Sequence, residues 1–402
     1  MNACYLCASS DLKLLLDCGP QPISNRFLRS PDEPEQLYPM TIWQCGVCGT
    51  VQLRNPPPAG ELQPKVDWIT YNEPEGHLDQ LAGIIAGLPG LKYESAIGGV
   101  SFKDDSTIAR LQRKGFKRTW RLDPATDLRV ASRGVGVETI QDRLTPEAAV
   151  DIARKRGEAD LLIVRHILEH AHQPLRFLEA LTRLVGPGGY LVFEVPDCAR
   201  ALDNLDYTTL WEEHTLYFTP ETFRSCFAFA GLTPVRFEVY PYPFENSLIG
   251  ILQRGESPQS GRVPHEALDH ELHRAARFAA EFPGRRDQLK TFLTDCARRE
   301  GPIAMFGAGH LACTFIYLLG LKDVVRLVAD DNPHKQGLFM PGSRLPIRSS
   351  SALLEENIRL SLLSVNPESE AKVIQKQRAF VERGGAFASI FPASDQALKI
   401  SG

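Results

Sequence analysis

Ala159-Asp-Leu-Leu-Ile-Val-Arg-His-Ile-Leu-Glu-His-Ala-His172 is followed, after one helix length, by Gly186-Pro-Gly-Gly-Tyr-Leu-Val-Phe-Glu-Val-Pro196. Each piece carries a short apolar run, 159–164 and 190–195, and 173–185 between them reads as a helix. Two strands joined by a helical crossover lie parallel in one sheet, with Gly186–Gly189 expected as the turn into the second strand. Working outward, the N-terminal side predicts a helix over 77–88, a strand over 93–97, a glycine turn at Gly98-Gly99, a helix over 106–114, a strand over 119–123 and a helix over 145–156. Downstream, a helix near 220–230 precedes two strand-like runs, 233–240 and 247–253, expected to pair as a terminal hairpin. Alternation of this kind specifies an α/β fold with a mostly parallel sheet.

Different material flanks this Rossmann-like domain. Cys4-Tyr-Leu-Cys7 and Cys45-Gly-Val-Cys48 are two Cys-x-x-Cys turns, the layout of a closed tetrahedral zinc site with no position left for chemistry. Two disulfides or a redox pair are the other readings, but no signal-peptide pattern precedes the first pair and no strand-helix context surrounds either. Zinc is therefore expected on Cys4, Cys7, Cys45 and Cys48, in a module too small to bury a sufficient core without it. Cys18, in Leu-Leu-Leu-Asp-Cys-Gly, is expected to pack as a small hydrophobe. After the run Asn55-Pro-Pro-Pro-Ala-Gly60 the module gives way to the α/β domain. Gly255-Glu-Ser-Pro-Gln-Ser-Gly261 reads as a linker, followed by a charged helix from Pro264 to about Glu300. A second Rossmann-like section then opens at Ile303 and reaches another strand over 324–329. The expected division is 1–72, 73–255 and 256–402.

With 402 residues and a net charge of −4, acids and bases interspersed, the chain is not patterned for nucleic acid or an anionic membrane surface. It contains no apolar run of transmembrane length. The five cysteines outside the pairs show no regular spacing, which suits a reducing cytoplasm.

In a doubly wound sheet, ligands lie beyond the carboxyl ends of the strands, where glycines let backbone approach and an acid can hold a ribose. Gly98, Gly99 and Asp123 occupy such places, although Ile97-Gly-Gly-Val100 lacks the usual glycine spacing and a plain tight turn explains it equally well. The C-terminal section matches a dinucleotide fingerprint more closely: Gly307, Gly309 and Ala312 follow a strand, and Asp330 comes 21 residues after Gly309. From the residues alone, a nicotinamide cofactor is the first reading there.

The Leu-Glu-His strand end and the Pro-Gly-Gly turn into Phe-Glu-Val-Pro resemble class I methyltransferases that use S-adenosylmethionine. The whole chain more specifically resembles the three-domain, zinc-containing sugar C-methyltransferases that alkylate nucleotide-linked keto-deoxysugars. Three blocks carry this in order: Gln21-Pro-Ile-Ser-Asn-Arg-Phe27 with Tyr38-Pro39 before the second cysteine pair; Asp206-Tyr-Thr-Thr-Leu-Trp-Glu-Glu-His-Thr-Leu-Tyr-Phe218; and Gly307-Ala308 with Asp330-Asp-Asn-Pro-His-Lys-Gln-Gly337 and Pro341-Gly342.

The resemblance implies S-adenosylmethionine, structural zinc, a nucleotide-sugar substrate and cytoplasmic work; monomer and homodimer both stay open. Methylation at carbon needs a carbanion-like nucleophile, which a ring ketone supplies once a neighbouring proton is removed. The family casts the residue matching His214 as that base. Glu213 would orient it if both lie on a loop, and His170 would donate a hydrogen bond to the oxyanion. Tyr71 matches a family tyrosine at the junction with the zinc module. Gly98, Gly99, Asp123 and His166 are the cofactor-side candidates, though by themselves His166 and His172 read as structural or solvent-facing. Trp211, Asn246 and Lys335 are the substrate-side candidates, with Lys335 and the helix after Gly309 able to neutralise a diphosphate. Three departures stand out: Trp211 replaces a tyrosine, Glu245-Asn246-Ser247 replaces Gly-Gly-Ser, and the cofactor turn lacks its acid and spacing. An NAD-dependent nucleotide-sugar oxidoreductase or epimerase, and a non-catalytic nucleotide-sugar binding protein, are the alternative functions.

Overall fold

A computed structural model describes residues 3–66, 68, 73–130, 135–255 and 264–400. The chain packs as two compact units, one of Met1–Leu14, Ile42–Ala199 and Glu213–His273, the other of Leu15–Thr41, Arg200–Glu212 and Arg274–Gly402. Among the described residues no helix is long and apolar enough to cross a membrane.

The zinc module contributes β1 (Leu12–Pro22), β2 (Leu37–Cys45) and β3 (Val51–Arg54), and β8 (Leu216–Tyr217), far along the chain, completes a sheet of order β1-β2-β3-β8. Val51 pairs with Tyr217 and Gln52 with Leu216.

The central sheet is built from β4 (Ala96–Gly99), β5 (Arg118–Arg121), β6 (Ala159–Arg165), β7 (Val185–Pro196), β9 (Leu232–Tyr240) and β10 (Ser247–Arg254), in the order β5-β4-β6-β7-β10-β9. β5, β4, β6 and β7 run parallel, and β10 is antiparallel to both β7 and β9. The hairpin is as expected. β6 and most of β7 are buried, as the continuous apolar runs require of strands covered on both faces.

The helices follow their caps. α1 (Leu78–Ala86) precedes β4, and between β4 and β6 lie α2 (Asp105–Arg113), α3 (Val137–Arg143) and α4 (Pro146–Arg156). Thr145 caps α4 by accepting from Ala148 N–H, Pro146 sits in the first turn, and Gly157 at φ +82° ends it. α5 (Pro174–Arg183) buries Phe177, Leu178 and Leu181, and α6 (Pro220–Phe229) starts on a reciprocal Thr219/Thr222 cap.

Two sequence expectations fail: Gly98-Gly99 lie in β4 rather than in a turn after it, and Gly186–Gly189 does not form a turn before the strand. β7 already begins at Val185, paired with Ala159, and its register slips before Leu161 meets Tyr190. The glycines form an irregular stretch within the strand. A Cβ on Gly189 would lie 2.6 Å from the Val185 side chain, and Gly188 takes φ +73°.

α7 (His265–Arg299) leads to the C-terminal sheet, in which β11 (Ile303–Phe306), β12 (Val325–Ala329), β13 (Ile347–Arg348), β14 (Leu360–Leu363) and β15 (Ala386–Ser389) run parallel in the order β13-β12-β11-β14-β15, with α8 (His310–Leu318) following β11. In the central sheet, connections diverge to opposite sides at β4 and β6, so the crevice beyond their carboxyl ends is where a ligand site forms.

Candidate functional site

The segment after β6 leaves the strand sharply. His166 takes φ +48°, a left-handed conformation rare for a residue with a side chain, and its N–H donates to Glu194 O at 2.8 Å. A short 3₁₀ turn, Leu168–His170, then puts Glu169 and His170 into the interior, each no more than 5 % exposed. The Glu213-His214 pair arrives from the other side of the sequence, in the irregular stretch between Tyr207–Thr209 and β8. Thr215 ties this loop down: its N–H and hydroxyl both donate to Glu169 O, at 2.7 and 2.9 Å, and the hydroxyl also reaches Ala171 O.

The rings of His170 and His214 meet edge to face, 4.7 Å apart. Donor atoms of Glu169, His170 and His214 lie within 4.8 Å of one another, as do those of Glu138, His170 and Glu213. The adjacent Glu213 and His214 thus fall into two sets that share His170. Glu138, on the first turn of α3, places Oε1 3.0 Å from His170 Nδ1. No sequence signal marked Glu138. Tyr71 lies outside the described residues.

Beyond β4 and β6, Glu194 of β7 accepts from Arg165 Nε and holds His166 Nε2 and His77 Nε2, each at 3.2 Å from Oε1. His77 Nδ1 in turn faces the Tyr242 hydroxyl at 2.7 Å. Burial works against charge here, yet His166 and Arg165 keep the Glu194 carboxyl well below its ordinary range. Glu73 and Glu194 overcome burial at His166 and push it up to about 10. His166 is therefore neither solvent-facing nor neutral; it is a buried cation, and the charged residues inside the apolar runs Leu-Leu-Ile-Val-Arg165 and Val-Phe-Glu194 were the available signal, since a buried charge needs a partner. His172 is half-buried, and burial lowers its pKa.

Gly98 and Gly99 are both buried in β4. A Cβ on Gly98 would come within 2.7 Å of the Trp120 ring, and one on Gly99 within 2.7 Å of Ile108 Cδ1, so protein packing fills the space above them. The amides beyond the strand are also committed: Asp104 accepts from Val100 and Ser101 N–H at 2.7 and 2.8 Å and from Arg165 N–H at 2.8 Å. Asp123 is exposed and caps the helix over 124–127 through Thr126 N–H at 2.8 Å. Asn246 Nδ2 donates to Asp197 at 3.0 Å.

In the other unit, Trp211 Nε1 donates to Ser24 Oγ at 3.1 Å and the indole stacks on His310 at 4.2 Å, so its N–H is used within the protein. Glu212 accepts from Ser24 N–H at 2.6 Å. Asp330 does not stand clear for a ribose: it accepts from Ala308 N–H at 2.8 Å, and Lys335 Nζ bridges Ala308 O and Asp330 Oδ2 at 2.6 and 3.1 Å. This turn is closed by its own side chains.

The four cysteines sit as the spacing predicts. Cys4 Sγ is 3.6 Å from Cys48 Sγ and Cys7 Sγ 3.5 Å from Cys45 Sγ, all four within 4.8 Å of one another. These separations are far too long for disulfides. They agree with the S···S edge, about 3.8 Å, of a tetrahedron with Zn–S near 2.3 Å. Leu6 and Val47 N–H point at Cys4 and Cys45 sulfur, at 3.5 and 3.4 Å, which steadies the thiolates. The residues present fit zinc.

Residues 4–62 match the family model described as "Putative zinc binding domain", 104–236 that of a methyltransferase domain, and 265–392 that of a C-methyltransferase C-terminal domain. The chain belongs to the three-domain C-methyltransferases. A relative, NovU of Streptomyces niveus, is described as a C-methyltransferase and is 24 % identical over 421 residues, covering 96 % of this chain and 94 % of its own. Among solved structures, 1,6-didemethyltoxoflavin-N1-methyltransferase of Burkholderia thailandensis covers 45 % of this chain and 80 % of its own at 15 % identity and TM-score 0.30. A methyltransferase of Aquifex aeolicus covers 45 % and 94 % at 15 % identity and TM-score 0.29. Scores this low carry no argument about the site.

S-adenosylmethionine is the cofactor of the C-methyltransferase. The crevice fits it through charge rather than through a glycine cradle. Glu73, Glu169, Glu245 and Asp197 crowd together, and burial with these neighbours pushes Glu245 up to about 8. Glu169 Oε2 is buried without a hydrogen-bond partner. Glu73 is already paired with Lys103 and Asp197 with Asn246, so Glu169 and Glu245 are the carboxyl groups that would face the cationic sulfonium and ammonium of S-adenosylmethionine.

The His166–Glu194 pair makes the C-methyltransferase's stability depend on pH. The folded pKa of His166, about 10, lies above its ordinary 6.5, so its contribution is complete below about 6.5 and is lost as pH rises toward 10. The melting temperature should fall between pH 7 and 10, and a His166→Gln variant should show a smaller fall; equal slopes would refute the assignment.

Proposed function

We propose that the chain methylates carbon on a nucleotide-linked keto-sugar, within the cytoplasm, with the division 1–72, 73–255 and 256–402 as its working parts. What carries the reading is the pair of imidazoles, His170 and His214, in contact among Glu138, Glu169 and Glu213. Two histidines flanked by carboxylates are equipped to move a proton. Similarity to NovU along nearly its whole length supports carbon as the acceptor.

His214 removes the proton from the carbon beside the ring ketone, and the C–H electron pair becomes the enolate. His170, whose ring lies against His214, hydrogen-bonds the developing oxygen anion. S-adenosylmethionine supplies an electrophilic methyl group, which the enolate carbon takes while the sulfur keeps the bonding pair. The ketone re-forms, and His214 releases its proton to solvent. Asn246 is the remaining substrate-side candidate. The oxidoreductase reading has no comparable support, since Asp330 and Lys335 already occupy the C-terminal glycine turn.

The test is incubation of the purified protein with nucleotide-linked keto-sugars in heavy water. Deuterium should enter one ring carbon, and added S-adenosylmethionine should raise the sugar's mass by one methylene. If calorimetry shows binding of the nucleotide-sugar while neither exchange nor methylation occurs, the chain is a binding protein.

A further inference from the structure

Glu138 takes no part in the assignments above, yet it is a carboxylate 3 % exposed, and a buried charge is costly unless something uses it. Its surroundings are specific. On its own helix, α3, the nearest acid on the histidine side is Asp142, which with Glu138 acts on His172. From the 3₁₀ turn come Glu169 and His170, and from the loop before β8 come Glu213 and His214. Burial works against the charge of Glu138, yet His170, with Nδ1 3.0 Å from Oε1, holds the carboxyl below its ordinary range.

The protein also leaves room for this carboxylate. Gly136, the N-cap of α3, has φ −92°, which any residue adopts, so no backbone strain calls for glycine. A Cβ there would come within 2.6 Å of Glu138 Oε2 and 2.8 Å of Pro64 Cδ. Glycine at 136 is a requirement of space, and the space is occupied by the Glu138 carboxylate.

We infer that Glu138 is a positioning residue for proton transfer: it holds His170 at Nδ1, so that Nε2 is the nitrogen turned to the substrate beside His214. This rests on the histidine cluster being the site of methyl transfer. A carboxylate at Nδ1 fixes the tautomer and ring orientation of an imidazole and supports its charge when the second nitrogen also carries a proton. His170 can then donate from Nε2 to an oxygen that becomes an anion, which a neutral ring with its only proton on Nδ1 cannot do. The sequence assigns Glu213 to orient His214; Glu138 faces the other ring of the pair, His170.

Glu138→Gln keeps size and hydrogen-bonding shape but removes the charge. Folding is checked first by zinc content and thermal unfolding. Proton exchange from the keto-sugar nucleotide should fall roughly 10²-fold, with KM little changed, because the lost interaction strengthens only as charge develops. The alkaline limb of the pH–rate profile should move to lower pH, because a carboxylate beside the proton-transferring histidines is lost. Gly136→Ala, which keeps the carboxylate but displaces it, should reproduce the split between kcat and KM. In the ligand-free protein, imidazole ¹⁵N spectra should show His170 protonated at Nδ1, and Glu138→Gln should change that signal. An unchanged signal overturns the inference whatever the substrate is, and so does a variant with wild-type exchange and pH profile. A second metal equivalent lost on Glu138→Gln would also overturn it, making the cluster a metal site. Absence of exchange in the wild type would instead sink the proposed function, and the ¹⁵N signal would still decide the role of Glu138.

Discussion

Replacing His214 with alanine should lower both deuterium exchange into the sugar and methyl transfer by roughly 10²–10⁴-fold, the usual contribution of a general base. Binding of S-adenosylmethionine, followed by calorimetry, should be unchanged, because the carboxyl groups proposed to face it, Glu169 and Glu245, remain in the variant. The fold should also survive. His214 is only half-buried and sits on a loop whose anchors belong to Thr215, through Glu169 O and Ala171 O. Exchange and methylation must fall together, since the enolate precedes the new carbon–carbon bond. A variant that methylates at the wild-type rate removes His214 as the base. One that loses methylation while still exchanging the proton shifts the base to His170, whose ring is 4.7 Å away.

Removing zinc should be the more destructive change. Strong chelation or Cys45→Ser should abolish the module of β1, β2 and β3 and, with it, turnover. A structural zinc in small modules contributes on the order of 10 kcal/mol. That rivals the whole stability of an ordinary domain, about 5–15 kcal/mol. Cys45 is fully buried at the end of β2, and the site ties residues 4–7 to 45–48. Damage reaches the chemistry because β3 pairs with β8 and Leu53 N–H donates to Thr215 O at 3.0 Å, next to His214. Metal analysis should find one zinc per chain, and the metal-free protein should lose exchange activity together with the unfolding signal of the module. A chelated chain that still exchanges would show that the loop stands without the sheet. If zinc stays bound to Cys45→Ser with no change in melting, the four-cysteine site is wrong.

Much of the fold was legible because its signals are local. Apolar runs of strand length mark β6 and β7, Thr145-Pro146 marks the start of α4, and two Cys-x-x-Cys turns mark the metal. The exception, Gly186–Gly189, shows the limit of local signals: four turn-forming residues lie inside β7 because Val185 finds a partner in Ala159, a choice made by the neighbouring strand. The glycines were misleading twice more. At 98 and 99 they make room for Trp120 and Ile108, and at 136 for Glu138, whereas sequence reasoning assigns such residues to backbone freedom or to a ligand.

By itself, then, the chain of residues determined the α/β alternation and the zinc ligands. These depend on periodicity and spacing, which a few neighbouring residues carry whole. Only the tertiary structure decided which acid serves which histidine, since Glu138, His170 and His214 come from a helix and two loops, and a 3 Å contact depends on how all three pack. It also decided that Trp211, Asp330 and Lys335 bond within the protein, because a side chain's partner is chosen by what lies across the fold from it.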